Sequence, residues 1–580
     1  MLGRFAITSF QPLLEHCGPS ILDYLSYINI KDHSTSILFC ILGGLGALSG
    51  YKLVRGATTF SALDGPPAPS RFWALTTPGK GHIVWLFDPV KGLTVQEELM
   101  NGYGSACRLK GILSVGCDDS LVDCLFTLWL CGTQADQVWI SDPRAMHEIL
   151  IKSHEDFPQP DLLLEWTKLL VGPNIITTTG RKHKLQRKFT DVVISQVQLQ
   201  GGNTGIIDIY TWMNYIALEM IGQAGLGHSF DVMSGKEPEY LSASRDMTTL
   251  ILNLWYLIPF LSWFTKLGSA HFRRFVIDHL PFRSIQELKK VTDTLDETAI
   301  GIYRQKKHAL ERGTLDLEIA AGNDIMSLLL KQNEVVPQDE QMSEEEIIGQ
   351  INGLIFAGHD TTSAALARTL YLLAQYPDTQ AKLHSEVREA HEFYGKDLDY
   401  DQLNSLNYLD AVCRESLRLY TPGPFLARVS QKDGLLPLLY PVKGRDGTHI
   451  TSVPVKKGTF IHLSLDAANR DKRTWGEDAD IFNPSRWLEP LPSSVEQSKM
   501  PGIYSSTMTF LGGPRACLGF KFAQLEMKLL LSNLVSRFKF ELCEDVIIWK
   551  MDSMVKPYVQ REHGVDAIPS MPMKVTILEK

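Results

Sequence analysis

Nothing in this sequence favours a polyanionic partner: 57 lysines and arginines stand against 66 acidic residues, for a net charge of -9. Without a positive surplus there is no electrostatic reason to bind DNA or RNA, so no nucleic acid is expected. The nine cysteines are odd in number and contain no CxxC pair. This argues against a disulfide framework and against structural zinc, and it suits a reducing compartment. There is no GxGxxG segment, so a dinucleotide would have to be served by another protein. Internal repeats and long low-complexity tracts are also missing. With 44% hydrophobic and 21% charged residues, the chain has the composition of a globular protein able to bury a large core.

Long uncharged apolar runs are scarce as well. Ile37 to Tyr51, with flanks from Ser34 to Leu53, reaches about the shortest length that spans a bilayer as a helix. Asp32 precedes the run and Lys52 and Arg55 follow it, which places the remainder of the chain on the cytosolic side. A cleaved signal peptide or a buried helix are the alternatives. A retained anchor is preferred because Glu15 and Asp23 stand in a long stretch before the run, unlike a short basic leader. Gly65-Pro-Pro-Ala-Pro69 then reads as a stiff hinge. The expected division is an N-terminal region, 1–64, with an anchor at about 34–53, followed by one large domain, 65–580.

That domain reads as mainly α with a small β region. Ser343 and Glu346 form a capping box at the start of a helix that runs to Gln375, where Tyr376-Pro377 ends it. In its middle stands Ala357-Gly-His-Asp-Thr-Thr362, polar residues in the centre of an otherwise apolar helix. Shorter helices are expected at Thr379 to His391 and at Tyr408 to Leu419. From Leu436 to Leu465, short apolar runs alternate with turn signals and predict strands.

The densest signal is Phe510-Leu-Gly-Gly-Pro-Arg-Ala-Cys-Leu-Gly519. Two glycines and a proline predict a tight turn around Cys517, and Gly519 lets a chain pass close to a flat ligand. A thiolate on iron needs donated hydrogen bonds and nearby positive charge, which Arg515 supplies. The pattern FxxGxRxCxG, matched at Phe510, Gly513, Arg515, Cys517 and Gly519, resembles the haem-binding loop of the cytochrome P450 family. The resemblance implies the P450 fold, haem b as cofactor and Cys517 as the iron ligand.

Three further motifs resemble the same family. Glu415 and Arg418 share one helical face, and Pro484-Ser-Arg486-Trp487 supplies the arginine that the family joins to them, a supporting triad behind the haem loop. At the helix midpoint, the resemblance gives Ala357 and Gly358 the task of leaving room over the iron and Asp360 and Thr361 that of delivering protons, since cleaving the O–O bond needs two of them. A helix kink, with hydroxyls bonded back to carbonyls, describes the same residues structurally. In the basic run Gly180 to Lys188, His183 and Arg187 stand where the family places haem-propionate partners, and Arg428 resembles another. Leu250 to Phe264 resembles an access lid, with Phe425 and Leu426 near the pocket; ordinary core is the equal alternative.

By this resemblance the chain oxidises a lipophilic small molecule with O2. NADPH-cytochrome P450 reductase would supply the electrons, and the setting would be a single-pass anchor in the endoplasmic reticulum membrane. Two breaks in the pattern keep other readings open. Val115 to Gln134 intervenes where the family passes almost directly between two strands, and carries three of the nine cysteines. Its apolar LFTLWL centre beside Asp118, Asp119 and Asp123 cannot be buried whole without stranding charge, and its ends suit a retained intron. From Phe189 to Trp212 the chain is short by about one helix. The alternatives are a haem protein that uses no reductase, which Asp360 and Thr361 count against, and a non-catalytic or misfolded product of an aberrant gene model.

Overall fold

The computed structural model describes residues 62–66, 82–86, 88, 90–109, 136–160, 204–232, 237–253, 264–314, 324–395, 398–551, 554–562 and 564–578. The expected anchor, His183, Arg187, the segment 115–134 and most of the expected lid lie outside these residues. Among the described residues, no helix is long and apolar enough to cross a membrane.

The elements used below are α1 (Gly92–Tyr103), β1 (Ala106–Leu109), β2 (Gln137–Ile140), β3 (Thr204–Asp208), α2 (Ile209–Met220), α3 (Glu239–Asn253), α4 (Arg283–Glu311), α5 (Glu344–Gln375), α6 (Pro377–Tyr394) and α7 (Asn407–Leu419). They continue with β4 (Phe425–Val429), β5 (Gly434–Lys443), β6 (His449–Val455), β7 (Phe460–Ser464), α8 (Leu465–Arg470), α9 (Phe520–Val535), β8 (Phe538–Leu542), β9 (Ile547–Met551), β10 (Val555–Arg561), β11 (Gly564–Val565) and β12 (Pro572–Ile577). The molecule is mainly helical with small sheets, as the sequence predicts.

Helix α5 organises the molecule. Its 32 residues make it roughly 48 Å long at 1.5 Å per residue. Ser343 and Glu346 close the expected capping box, and Glu344 and Glu345 add negative charge to the first turn, where the helix dipole favours it. Helices α2, α4, α7 and α9 pack around it, and Leu366, Leu370 and Leu373 are completely buried. Each such leucine stabilises the fold by about 1.5–3 kcal/mol. Helix α7 opens without a cap of its own. Instead the Glu386 carboxylate of α6 accepts from the amides of Tyr408 and Leu409, both at 2.8 Å.

The largest sheet has the order β1-β2-β7-β4. β2 lies parallel to β7, with Val138 opposite Ile461, and the other pairs are antiparallel. β1 and β2 meet in register from Ala106↔Ile140 to Leu109↔Gln137, so the strands flanking 115–134 form a hairpin through their own backbone. β5 and β6 form a hairpin with an irregularity between Pro437 and Val442. The remaining sheets are β3-β12-β8 and β9-β10-β11.

Three expectations change. The strand-rich stretch ends at Ser464, and Leu465 begins α8 because the Ser464 hydroxyl accepts from the Ala467 amide, a helix start that outcompetes a further strand residue. The division between 64 and 65 also moves. Leu63 is 2% exposed within the sheet-side core and bridges Gly444, while the Arg108 amide donates to the Asp64 carbonyl at 2.9 Å. A Cβ on Gly65 would stand 2.1 Å from the Arg108 carbonyl oxygen. The body therefore includes Leu63, and Gly65, the first residue of the expected stiff hinge, is docked on β1. Phe425 takes the core alternative: it packs with Leu109 and Trp139.

Candidate active site

The loop before α9 is shaped by backbone demands. Leu511 and Gly513 have φ of 58° and 72°, the left-handed region that favours glycine. A Cβ on Gly513 would stand 2.0 Å from the Leu150 carbonyl oxygen, and one on Gly512 would stand 1.8 Å from that of Pro501. The Cys517 amide donates to the Phe510 carbonyl at 2.8 Å and that of Ala516 to Gly513 at 3.0 Å. Both bonds close the turn around the cysteine. Phe510 is buried and packs edge-on against Tyr504. Cys517 is half-buried and in no disulfide, just ahead of Gly519, the N-cap of the 16-residue α9. Glycine has no side chain to cap the first amides of that helix, so they and the helix dipole favour negative charge beside the sulfur.

The supporting triad forms as expected. Arg418 donates to both Glu415 oxygens at 2.9 and 2.8 Å, and neither side chain is exposed to solvent. The Arg486 Nε lies 3.4 Å from Glu415 Oε1, and the Trp487 indole N–H donates to Oε2 at 2.9 Å. Arg486 also grips Asp478 through both terminal nitrogens, at 3.1 and 2.7 Å. From Arg418 the network reaches the loop, since its Nη1 donates to the Asn469 carbonyl at 2.9 Å. The Asn469 side chain accepts from the Met508 amide and donates to the Thr509 hydroxyl at 3.1 Å. The buried pair thus fixes the strand of chain that leads into Phe510.

On α5, Thr361 donates to the Ala357 carbonyl at 2.7 Å, the back-bonded arrangement of a polar residue inside a helix. Ala357 is exposed and Thr361 half-exposed. Asp360 points elsewhere: it is 3% exposed and pairs with Lys556 of β10, Nζ to Oδ1 at 2.9 Å. Burial lowers the basicity of the neighbouring His359, whose ring Nδ1 bonds to the Ile355 carbonyl and packs edge-on against Tyr240. Gly358 departs from the expectation of room over the iron. A Cβ there would stand 2.7 Å from Ile221 Cγ1, so its clearance serves the packing of α5 against the turn that follows α2.

Two side chains of this region went unrecognised in the sequence. Lys556 gave no local sign, because only the fold brings β10 beside α5. Glu526, on α9, is completely buried beside Thr362, and neither carboxylate oxygen has a well-formed partner. Burial holds its carboxyl far above the usual range, against a smaller opposite effect of the Thr362 hydroxyl. It was findable as the one acid on an otherwise apolar helix face following the cysteine.

The residues present fit a flat, doubly anionic macrocycle. The chain itself demands glycine at 512 and 513, but a Cβ on Gly519 would meet nothing within 4 Å, which leaves an open face beside the thiol. Arg428 is 3% exposed, donates to the Ala427 carbonyl at 2.8 Å and forms no ion pair among the described residues. Burial, and then the charge of Arg515, holds its guanidinium down to about 10. Arg515 is itself lowered by burial. A buried arginine with a second cation close enough to lower it suits carboxylates such as haem propionates.

Comparison with known proteins decides the family. The family model described as Cytochrome P450 matches residues 190–562. Cytochrome P450 monooxygenase 212 of Postia placenta is 37% identical, over 93% of this chain and 98% of its own. A ganoderic acid synthetase of Ganoderma lucidum, CYP5150L8, is 39% identical over 75% of this chain and 84% of its own. This chain belongs to the cytochrome P450 family. It is a P450 monooxygenase of the fungal type, an enzyme whose cofactor is haem b bound through a cysteine thiolate.

Proposed function

We propose that this P450 inserts one atom of O2 into a lipophilic small molecule, with Cys517 as the thiolate on the iron. In this reading Phe510, Gly513 and Gly519 shape the loop, and Arg515 and Arg428, joined by Arg187 and His183, hold the propionates. NADPH-cytochrome P450 reductase supplies the electrons, and an anchor at about 34–53 holds the chain in the endoplasmic reticulum membrane. The observation that carries the reading is the contrast among the glycines. Those at 512 and 513 are required by the chain's own packing, whereas Gly519, two residues from Cys517, is exposed with no protein atom near its Cβ position, which suits the close approach of a group that is not protein. The closed loop and its buried triad count against a non-catalytic product.

When bound, haem supplies the iron at which dioxygen is reduced. Cys517 Sγ would hold that iron and supply it with electron density. Ala357 keeps the facing side of α5 low. The Thr361 hydroxyl donates to the Ala357 carbonyl at rest, and a rotation about its Cα–Cβ bond would free the same O–H to pass its proton on. Asp360 would replace that proton after taking one up from Lys556 or solvent. Its ion pair with Lys556 occupies the carboxylate at rest, so Asp360 could carry a proton only after Lys556 releases it or hands one over, which would make proton entry a controlled step. The test is reconstitution of the purified protein with the reductase and NADPH under isotopically labelled O2, against a panel of lipophilic compounds. One labelled oxygen per product molecule is expected. Product that carries no label, or turnover that needs no reductase, would overturn the reading.

A further inference from the structure

The face of α5 that bears Ala357 and Thr361 continues through Ala364 to Arg368 at helical spacing, so Arg368 stands roughly 10 Å along the axis from Thr361. Arg368 is 8% exposed. Its guanidinium carbon stacks 3.4 Å from the ring centre of Trp549 and 4.2 Å from that of Tyr420. It makes no hydrogen bond and no ion pair among the described residues. A guanidinium carries five N–H donors, and leaving them buried and unused is costly. The stacked rings hold the plane of the group in place, which leaves its edge as a fixed fork.

That fork lines a cavity of about 170 Å³. Gln96 of α1 lines it too: its Oε1 accepts from the Ser464 hydroxyl, while its Nε2 is buried without a partner. The half-buried carboxylate at the cavity, Asp466, is taken by Arg470 at 3.5 Å, and Arg470 also donates to the Leu419 carbonyl. The interior is therefore left with one surplus positive charge and two unused sets of donors. Glu97 and Asp480 stand at the exposed rim, where water and salt screen them. The remaining walls are largely apolar, among them Leu93, Met100, Pro422 and Val555. None of Cys517, Arg515, Arg428 and Thr361 lines this space.

We propose that this cavity is a second ligand site, separate from the haem site, which takes a small apolar carboxylate of about the size of benzoate. The carboxylate sits on Arg368 and the Gln96 Nε2, and the apolar body rests against Leu93, Met100 and Ala364. The size is apt, because a dry cavity of about 150 Å³ holds a benzene ring. The charge is apt as well: burial holds the Arg368 guanidinium down to about 9, which leaves it cationic at neutral pH, and charge-assisted hydrogen bonds are the strong ones.

The test uses the full-length holoprotein and titrates benzoate by saturation-transfer NMR, with the haem absorption band recorded in parallel. Saturable binding without a shift of that band is expected, with benzamide at least tenfold weaker and Arg368→Gln weakening benzoate at least tenfold. The proposal is overturned by the lack of saturable binding, by unchanged affinity in Arg368→Gln, or by a haem-band shift that tracks the titration and so places benzoate at the iron. Should Arg368→Gln fail to take up haem, Gln96→Met and the benzamide comparison on the unchanged protein decide. Equal affinity for benzoate and benzamide would then overturn it.

Discussion

Around Cys517 the shape is held by the main chain, through glycines that admit no side chain, amide-to-carbonyl bonds that close the turn, and a buried Glu415–Arg418 pair that reaches the loop through Asn469. Around Asp360 it is held by side chains from remote elements: Lys556 of β10, Glu526 of α9 and Ile221 beyond α2. The sulfur side is thus a rigid mount whose tolerance is set by sterics. The oxygen side is an electrostatic arrangement whose tolerance is set by which charges remain paired. The two should fail differently when perturbed.

The largest effect is expected on the sulfur side. Gly513→Ala forces an alanine to a φ of 72° and onto the Leu150 carbonyl, a strain of about 3 kcal/mol or more. Haem occupancy should fall to background and the thermal midpoint should drop. Gly519→Ala, facing open space, should keep the fold to within about 1 kcal/mol while weakening haem retention. Haem content and melting curves of the two variants check the pair, and equal losses of stability would erase the distinction.

On the oxygen side, Asp360→Asn strands the Lys556 charge in a buried setting and should cost about 3–5 kcal/mol. Adding Lys556→Met should restore most of that stability without restoring coupled turnover, because the charge problem is solved and the proton route is not. Chemical denaturation and product yield separate the two. A double variant as unstable as Asp360→Asn alone would show that the pair is not what holds this region.

Glu526 sharpens the comparison through pH. Its carboxyl is held neutral in the folded protein because burial raises it, while the unfolded chain ionises it above about 4.3. The folded state therefore keeps one more proton, and this group's contribution to stability falls as pH rises through the ordinary carboxylate range. Glu526→Gln removes that slope. Its stability relative to the unchanged protein should grow from about pH 4 towards neutrality, as measured by denaturant midpoints; a constant difference would show that Glu526 is not neutral when folded.

The smallest structural effect is expected for Thr361→Ala, which loses one hydroxyl bonded to its own helix. Haem binding should persist and stability should change by less than about 1 kcal/mol, while NADPH oxidation is diverted from product to hydrogen peroxide. Unchanged coupling would remove Thr361 from proton delivery.

The same division explains what could be read from the sequence. The Cys517 loop, the capping box at Ser343, the helix ends before Pro377 and Pro422, and the pairing of Glu415 with Arg418 are local patterns, so consecutive residues announce them. Arg486 became legible because its own motif marks it. Lys556, the use that Ile221 makes of the gap at Gly358, and the docking of Gly65 on β1 depend on elements far apart in the chain, and no spacing records them. Leu465 was misplaced because an apolar residue after a strand looks like more strand until the Ser464 cap is taken into account.

The central claim is that Cys517 delivers a thiolate to haem iron, and the carbon monoxide difference spectrum of the reduced protein tests it most directly. The unchanged protein should show the thiolate-type Soret band, and Cys517→Ser should lose it, because a hydroxyl is a poor anionic ligand without sulfur's electron donation. Retention of that band in Cys517→Ser would contradict the account.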